Sequence, residues 1–402
     1  MYNISIPEML TGFELKTALE QRPYYDEEIR KESVSERLSA LSDVYSLYIP
    51  SRMSVEIYSK LYLALMHSLR KKGTKEAVMQ QNQNHRAILQ KEHNGIIGGS
   101  DSFTIIGVSG IGKSSAIARA IRIISENKII ELSETKIIPY VIVQCPFDSS
   151  VKGLLFEILR QVDDNIGSNY YQKAVKARAT TDMLIGSVSQ VAINHIGVIV
   201  VDEIQNVCKS KHGRNLVGML TQLINNSGVS ICMVGTPECG NFFEQEIQLA
   251  RRALGLKYQT LEYGEYFEDF CRKVFSYQYV KHRTEITPGI IDWLYEHSTG
   301  ITSVVVSLIH DAQEIAILDS REVLNIETLN EAYTKRLEMM HTYVSIKQKR
   351  YDTVKKKVAK KEQITTDTDC VISESIKESK ILNTDFFEVL KRKITVEEIS
   401  IC

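Results

Sequence analysis

The 402-residue chain has no uninterrupted apolar run of about 18 residues, the length a membrane-crossing helix needs. Its first ten residues, MYNISIPEML, lack the charged-then-apolar order of a secretion signal. Cysteine is sparse: Cys145, Cys208, Cys232, Cys239, Cys271, Cys370 and Cys402 are odd in number, scattered, and never spaced C-x-x-C. That pattern argues against a disulfide framework and a zinc site, and fits a reducing compartment. A soluble, cytoplasmic protein with no membrane partner is expected. Net charge is nearly absent too: 49 Lys and Arg face 50 Asp and Glu. The molecule is no polycation, so any nucleic-acid contact has to come from a local patch. No internal repeat is visible. Apolar residues are plentiful at 43%, ample for a core.

The most informative stretch is Phe103 to Ala120, FTIIGVSGIGKSSAIARA. An apolar β-branched run leads into Gly107-Val108-Ser109-Gly110-Ile111-Gly112-Lys113-Ser114, which matches G-x-x-x-x-G-K-[ST], the P-loop. Glycines let the backbone curl so that its N–H groups point at phosphate oxygens. The helix that follows adds its positive N-terminal end. Lys113 supplies a cation to the β- and γ-phosphates, and Ser114 offers a hydroxyl to Mg²⁺. Ile117, Ala120, Ile121 and Ile124 recur at helical spacing behind the loop, so strand, loop and helix come in the required order. The expected nucleotide contacts are Gly107, Ser109, Gly110, Ile111, Gly112, Lys113, Ser114 and Ser115.

Apolar strands alternate with helices around this motif. Strands are expected at Tyr140–Cys145, Gly197–Val201, Val229–Val234 and Lys257–Tyr263, beside the one before the P-loop. Helices are expected after Asp148-Ser149-Ser150, up to about His195, over Gly213–Asn226, and over Asn241–Leu254 with Gly255 as the stop. This reads as an α/β fold with a parallel five-stranded sheet covered on both faces, binding its ligand at the carboxyl ends of the strands. The domain reading is an N-terminal helical extension over 1–100, an ATPase core over 101–263, a small helical lid over 264–345 and a basic, polar, mobile tail over 346–402. Within the extension, Glu36–Tyr48 and Ser54–Arg70 carry apolar residues at helical spacing on either side of Pro50. Lys71–Asn94 is expected to be a surface excursion, and Asp163–Thr181 a polar stretch.

Two further motifs carry chemistry. Val198-Ile199-Val200-Val201-Asp202-Glu203 reads as a Walker B strand: Asp202 holds Mg²⁺ with Ser114, and Glu203 orients and polarises the attacking water. Thr236 ends the next strand, where its hydroxyl reaches the γ-phosphate or the water. Arg251 and Arg252 precede the last strand. A structural role at a helix C-terminus and an arginine finger toward a neighbouring subunit are both open for them, with Arg252 slightly ahead.

P-loop, Walker B with Glu, strand-end Thr, pre-strand Arg and helical lid together resemble AAA+ ATPases of the initiator type. The segments LSDVYSLYIPSRMSVEIYSKLYLAL, YVIVQCPFDSSVKGLLFEILRQVDDNIGSNYY and VIVVDEIQNV sharpen the likeness to the TnsC/TniB/MuB-like regulators of Tns-type transposons, over about residues 35–340. The resemblance implies an ATPase that uses ATP and Mg²⁺ and assembles with itself as rings or filaments on duplex DNA. It implies partners too: a target selector of TnsD or TniQ type, the TnsB transposase, and TnsA where present. It implies DNA-backbone contacts, for which Lys152, Lys173, Lys176 and Arg178 are the candidates because they follow the second strand. One departure stands out: AAA+ lids usually offer an Arg near a helix start, where this chain has Thr302 and Ser303. A replication initiator or helicase loader, and a signalling ATPase gated by nucleotide, are the rival readings.

Overall fold

The computed structural model describes residues 6–72, 102–126, 128–132, 135–239 and 254–336. Met1–Tyr333 form one compact unit, to which everything below refers. The expected surface excursion from residue 73 on, most of the Asn241–Leu254 helix with Arg251 and Arg252, and the 346–402 tail lie outside the described residues.

The centre is a six-stranded sheet in the order β2-β3-β4-β5-β1-β6. Its strands are β1 (Phe103–Gly107), β2 (Ile130–Leu132), β3 (Thr135–Gln144), β4 (Ile196–Asp202), β5 (Ser230–Gly235) and β6 (Leu254–Tyr258). Five are parallel, as the apolar runs require. The sixth, β2, was not foreseen; it pairs antiparallel with β3 at the sheet edge. At three residues it is too short to leave a periodic signal.

Alternation in the strands splits the core in two. Val198, Val200, Cys232 and Val234 face one side, Ile199, Val201, Ile231 and Met233 the other. The first side is covered by α3 (Arg52–Lys72) and α4 (Lys113–Ser125). Helix α3 presents Ile57, Leu61, Leu65 and Leu69, every fourth residue and all fully buried. Each such side chain contributes roughly 2 kcal/mol by leaving water. The second side is covered by α5 (Val151–Ile166), α7 (Thr181–His195) and α9 (Gly213–Ser227), with the four-residue α8 (Asn206–Lys209) between β4 and α9. The stretch expected to be polar loop holds a short helix, α6 (Tyr170–Lys176). Asp163 at the end of α5 starts it by accepting from the backbone N–H groups of Tyr170 and Tyr171 at 2.8 and 2.9 Å.

Two boundaries differ from the sequence reading for physical reasons. Strand β6 begins at Leu254, so Gly255 sits inside a strand rather than ending a helix. A Cβ at Gly255 would meet the Thr104 hydroxyl at 2.6 Å, so a close approach of β1 and β6 requires the glycine. The expected Glu36–Tyr48 helix breaks into α2 (Val34–Leu41) and a 3₁₀ turn over Ser42–Ser46. A capping box between Ser33 and Glu36 fixes the start of α2. Ahead of these lies α1 (Gly12–Leu19).

The helical part is α10 (Glu265–Phe275), α11 (Pro288–Ser298), α12 (Thr302–Leu318) and α13 (Ile326–Arg336). Among the described residues no single helix is long and apolar enough to cross a membrane. Helices α11 and α12 pass that test only together; they are bent by 119° and bury Ile291, Leu294, Val305 and Leu308 within the fold.

A buried ion pair ties this lid to the extension. The Arg37 guanidinium of α2 makes two parallel 2.7 Å bonds to the Glu322 carboxylate, and a 3.0 Å bond to the Tyr279 carbonyl. Arg37 is fully buried and the backbone N–H of Lys281 also donates to Glu322. The Arg37 hydrogen bonds hold the Glu322 carboxyl below its ordinary value of 4.5. A lowered carboxyl stabilises the fold while ionised, so this contribution is complete at neutral pH and is lost as pH falls below about 4.5. Arg37→Ala leaves Glu322 charged and without its partner. Urea unfolding at pH 7 is expected to show a loss of about 3 kcal/mol. That difference should shrink at acid pH, and a pH-independent loss would contradict the pairing.

Candidate nucleotide site

The carboxyl ends of β1, β4 and β5 open into a cavity of about 990 Å³. The P-loop forms its floor. Gly110 and Gly112 hold φ values of +82° and +90°, a region that side chains beyond Cα disfavour. Gly112 is the N-cap of α4, so the loop turns straight into a helix whose free N–H groups face the cavity end. Lys113 is buried, and its ammonium donates to the Gly107 and Val108 carbonyls at 2.7 and 3.0 Å. Burial lowers its pKa, against the opposing pull of the Asp202 and Glu203 carboxylates.

Walker A meets Walker B directly. The Ser114 hydroxyl donates to the Asp202 carboxylate at 2.8 Å, joining the ends of β1 and β4 across the width of β5. A hydroxyl and a carboxylate at this separation are the oxygen donors that Mg²⁺ takes, so these residues fit that ion. Glu203 stands exposed at the cavity with φ of +56°, a strained value for a residue with a side chain. Its N–H donates to the other Asp202 oxygen at 2.8 Å, and the Gln205 amide donates to its carboxylate. Thr236 lines the same cavity, and its hydroxyl is buried without a hydrogen-bond partner. An unpaired buried hydroxyl costs free energy unless a ligand or water completes it. Ser109, Ile111 and Ser115 also line the cavity.

Several lining residues escaped the sequence reading. Gln205 holds Glu203 and carries a second unpartnered buried oxygen; its position two residues past Glu203 was the only signal. The segment between α2 and α3 lines the opposite wall with Tyr45, Tyr48, Ile49 and Pro50, joined by Met53 from the first turn of α3. Tyr48 is fixed by a 2.6 Å bond to Ser54, and burial pushes its phenol up to about 12. On α10, Phe267, Val274 and Phe275 are buried, whereas Tyr266 and Phe270 also reach the cavity. The cavity therefore has a polar, phosphate-sized end and an apolar, aromatic end.

The four basic candidates lie elsewhere: Lys152 on α5, Lys173 and Lys176 on α6, and Arg178 in the turn after α6. Lys152, Lys173, Lys176 and Arg178 are all exposed, and among the described residues none pairs with a carboxylate. Helix α6 folds back along α5, because the Phe156 and Tyr171 rings meet edge to face at 5.6 Å. The Lys152 ammonium lies 5.6 Å from the same Phe156 ring, so it shares that flank with α6.

No match was found among curated proteins. Two similar solved structures are those titled "Structure of the Aeropyrum pernix ORC1 protein in complex with DNA" and "Structure of the Aeropyrum pernix ORC2 protein (ADP form)". The first is 13% identical with a TM-score of 0.42, over 65% of this chain and 64% of that one. The second is 16% identical with a TM-score of 0.42, over 66% and 69%. This chain thus spans just under two thirds of the first structure's length. Residues 86–260 match the family described as Bacterial TniB protein. That stretch holds the P-loop and the Walker B pair bonded to it.

Proposed function

We propose that this chain is an ATP-switched assembly factor for DNA transposition. ATP bound at subunit boundaries builds a ring or filament on target DNA. The assembled surface links a target-site selector of TnsD or TniQ type to the TnsB transposase, with TnsA where present. Hydrolysis then dissolves the assembly. The observation that carries the ATPase part is the 2.8 Å bond joining Ser114 of Walker A to Asp202 of Walker B in one cavity with Lys113 and Glu203. The family match supports the transposition part.

ATP is the substrate. Its triphosphate lies along the P-loop N–H groups and the N-terminus of α4, and its base lies against the apolar wall of Tyr48, Ile49 and Met53. Lys113 exchanges its two carbonyl partners for phosphate oxygens. Ser114 and Asp202 would hold Mg²⁺, which would supply positive charge against the phosphates. Glu203, kept in place by Gln205 and by its own N–H bond to Asp202, orients the attacking water and takes its proton. Thr236 finds its missing partner in that water or the γ-phosphate. Arg251 or Arg252 reaches the γ-phosphate of a neighbouring subunit. Lys152, Lys173, Lys176 and Arg178 hold the DNA backbone without reading bases.

Four measurements test this. Lys113→Ala is expected to abolish nucleotide binding by calorimetry, since the phosphates lose their cation. Glu203→Gln is expected to bind ATP normally while kcat falls by about 10²-fold or more and DNA-bound assemblies persist; wild-type turnover would remove Glu203 from the chemistry. Arg252→Ala and Arg251→Ala are to be tested singly for ATP binding, assembly and turnover. The finger variant binds ATP but neither assembles nor hydrolyses, and mixing with Lys113→Ala restores part of the activity. If neither single variant changes turnover or assembly, the finger assignment fails. DNA binding is expected to need ATP and ignore sequence. With four contacts per subunit, log affinity falls against log salt with a slope of about −3.6, and Lys152→Ala flattens it by about 0.9. An unchanged slope would take Lys152 off the DNA.

A further inference from the structure

Hydrogen bonds from the lid reach the P-loop at the Gly110 carbonyl. Two donors from the start of α12 converge there: the Thr302 hydroxyl at 3.0 Å and the Ser303 backbone N–H at 3.0 Å. The fit is close. A Cβ on Gly110 would lie 2.3 Å from the Ser303 hydroxyl and 2.9 Å from Cγ2 of Ile301. The same turn is fastened on its other side, where the Leu261 N–H donates to the Gly300 carbonyl at 3.0 Å. The lid is also bonded to the N-terminal extension, through Arg37 and Glu322, through Tyr266 to the Ile49 carbonyl at 3.1 Å, and through Tyr25 to the Gln278 carbonyl at 2.6 Å. No cation comes from the lid to the cavity among the described residues; Thr302, Ser303, Val306 and Ser307 of α12 line it instead.

We propose that Thr302 and the first turn of α12 are a neutral latch that positions the P-loop through Gly110, and that the lid so fastened does not distinguish ATP from ADP within one subunit. The inference rests on the ATPase reading and adds to it. A trans peptide points its C=O and N–H in opposite directions. With the Gly110 carbonyl gripped by the lid, the Ile111 N–H of the same peptide unit is turned away from the lid, into the concavity that cradles phosphate. The latch therefore pre-forms an anion-binding N–H before nucleotide arrives, which removes part of the ordering cost of binding. A lid cation would act differently. It would bind the γ-phosphate and so favour ATP, because a ligand shifts a conformation only by its differential contacts. A hydroxyl and an N–H already spent on Gly110 carry no such charge, and the phosphates they serve through the loop are common to ATP and ADP. Thr302 is thus a positioning residue for binding and no catalytic residue.

The test uses the full chain, dilute and without DNA, titrated by calorimetry with ADP and with a non-hydrolysable ATP analogue. The ratio of the two wild-type affinities, to which Lys113 and Thr236 contribute at the γ-phosphate, is the reference; Thr302→Val is expected to keep it within about threefold, and a shift beyond about tenfold overturns the proposal. Thr302→Val keeps the shape and deletes the hydroxyl. It is expected to weaken both nucleotides by the same factor, about fivefold, which is the usual worth of one hydrogen bond. Thr302→Ser restores the hydroxyl and is expected to restore both affinities. A loss confined to the ATP analogue, no loss for either nucleotide, or a failed rescue by Thr302→Ser removes the latch. Where Thr302→Val does not fold, Thr302→Ala carries the same comparison. Wild-type protein that binds neither nucleotide overturns the ATPase reading and the latch with it; wild-type binding without a Thr302 effect overturns the latch alone.

Discussion

The hydrogen bond from Ser114 to Asp202 is the point on which the site depends, and it constrains the whole sheet. The two residues are 88 positions apart in the chain, Ser114 in the first turn of the helix that follows β1 and Asp202 at the end of β4, with β5 between the two strands. They meet because the three strands are parallel and in a register that ends them together. Parallel pairing in turn requires crossover helices on both faces, which is why these strands are apolar on both sides. A buried sheet with helices on each face is thus the condition for one surface on which Ser114 and Asp202 meet.

The walls come from outside the sheet. The extension folds over the core through α3, whose apolar face is as buried as any strand, and it carries Tyr48, Ile49 and Met53 to the cavity. The lid arrives from the other end of the chain and is fixed by the Arg37–Glu322 pair and by the Gly110 carbonyl. Two charges fully or nearly withdrawn from water are tolerated because each finds several partners, and breaking one side strands the other. The result is a lid held as a fixed wall, bonded to both neighbours, rather than one resting on nucleotide alone.

Strain and incomplete bonding also occur at the site. Glu203 adopts a left-handed backbone, and among the described residues the Thr236 hydroxyl and one Gln205 oxygen are buried without partners. All three line the same cavity. Comparable orphan atoms occur elsewhere, at Arg37, Ser149 and Tyr279 for example, but those of Thr236 and Gln205 open onto a cavity where a ligand can complete them.

By itself the sequence determined the phosphate loop, the Walker B strand, the parallel sheet and the α3 face, because each rests on local spacing: Gly-x-x-x-x-Gly-Lys-Ser, an apolar run ended by Asp202-Glu203, and a Leu or Ile every fourth residue. It did not determine Gly255, which reads as a helix stop until Thr104 of the neighbouring strand is seen against it. Strand β2 was too short to declare itself, and the Asp163 cap that starts α6 looks like any polar residue. Only the tertiary structure decided that Arg37 is a buried partner of Glu322, that Gln205 holds Glu203, and that Thr302 grips Gly110. Those contacts join residues by side-chain geometry, most of them across long stretches of chain, and no period or motif in the sequence encodes which distant group a lone Arg or Thr will meet.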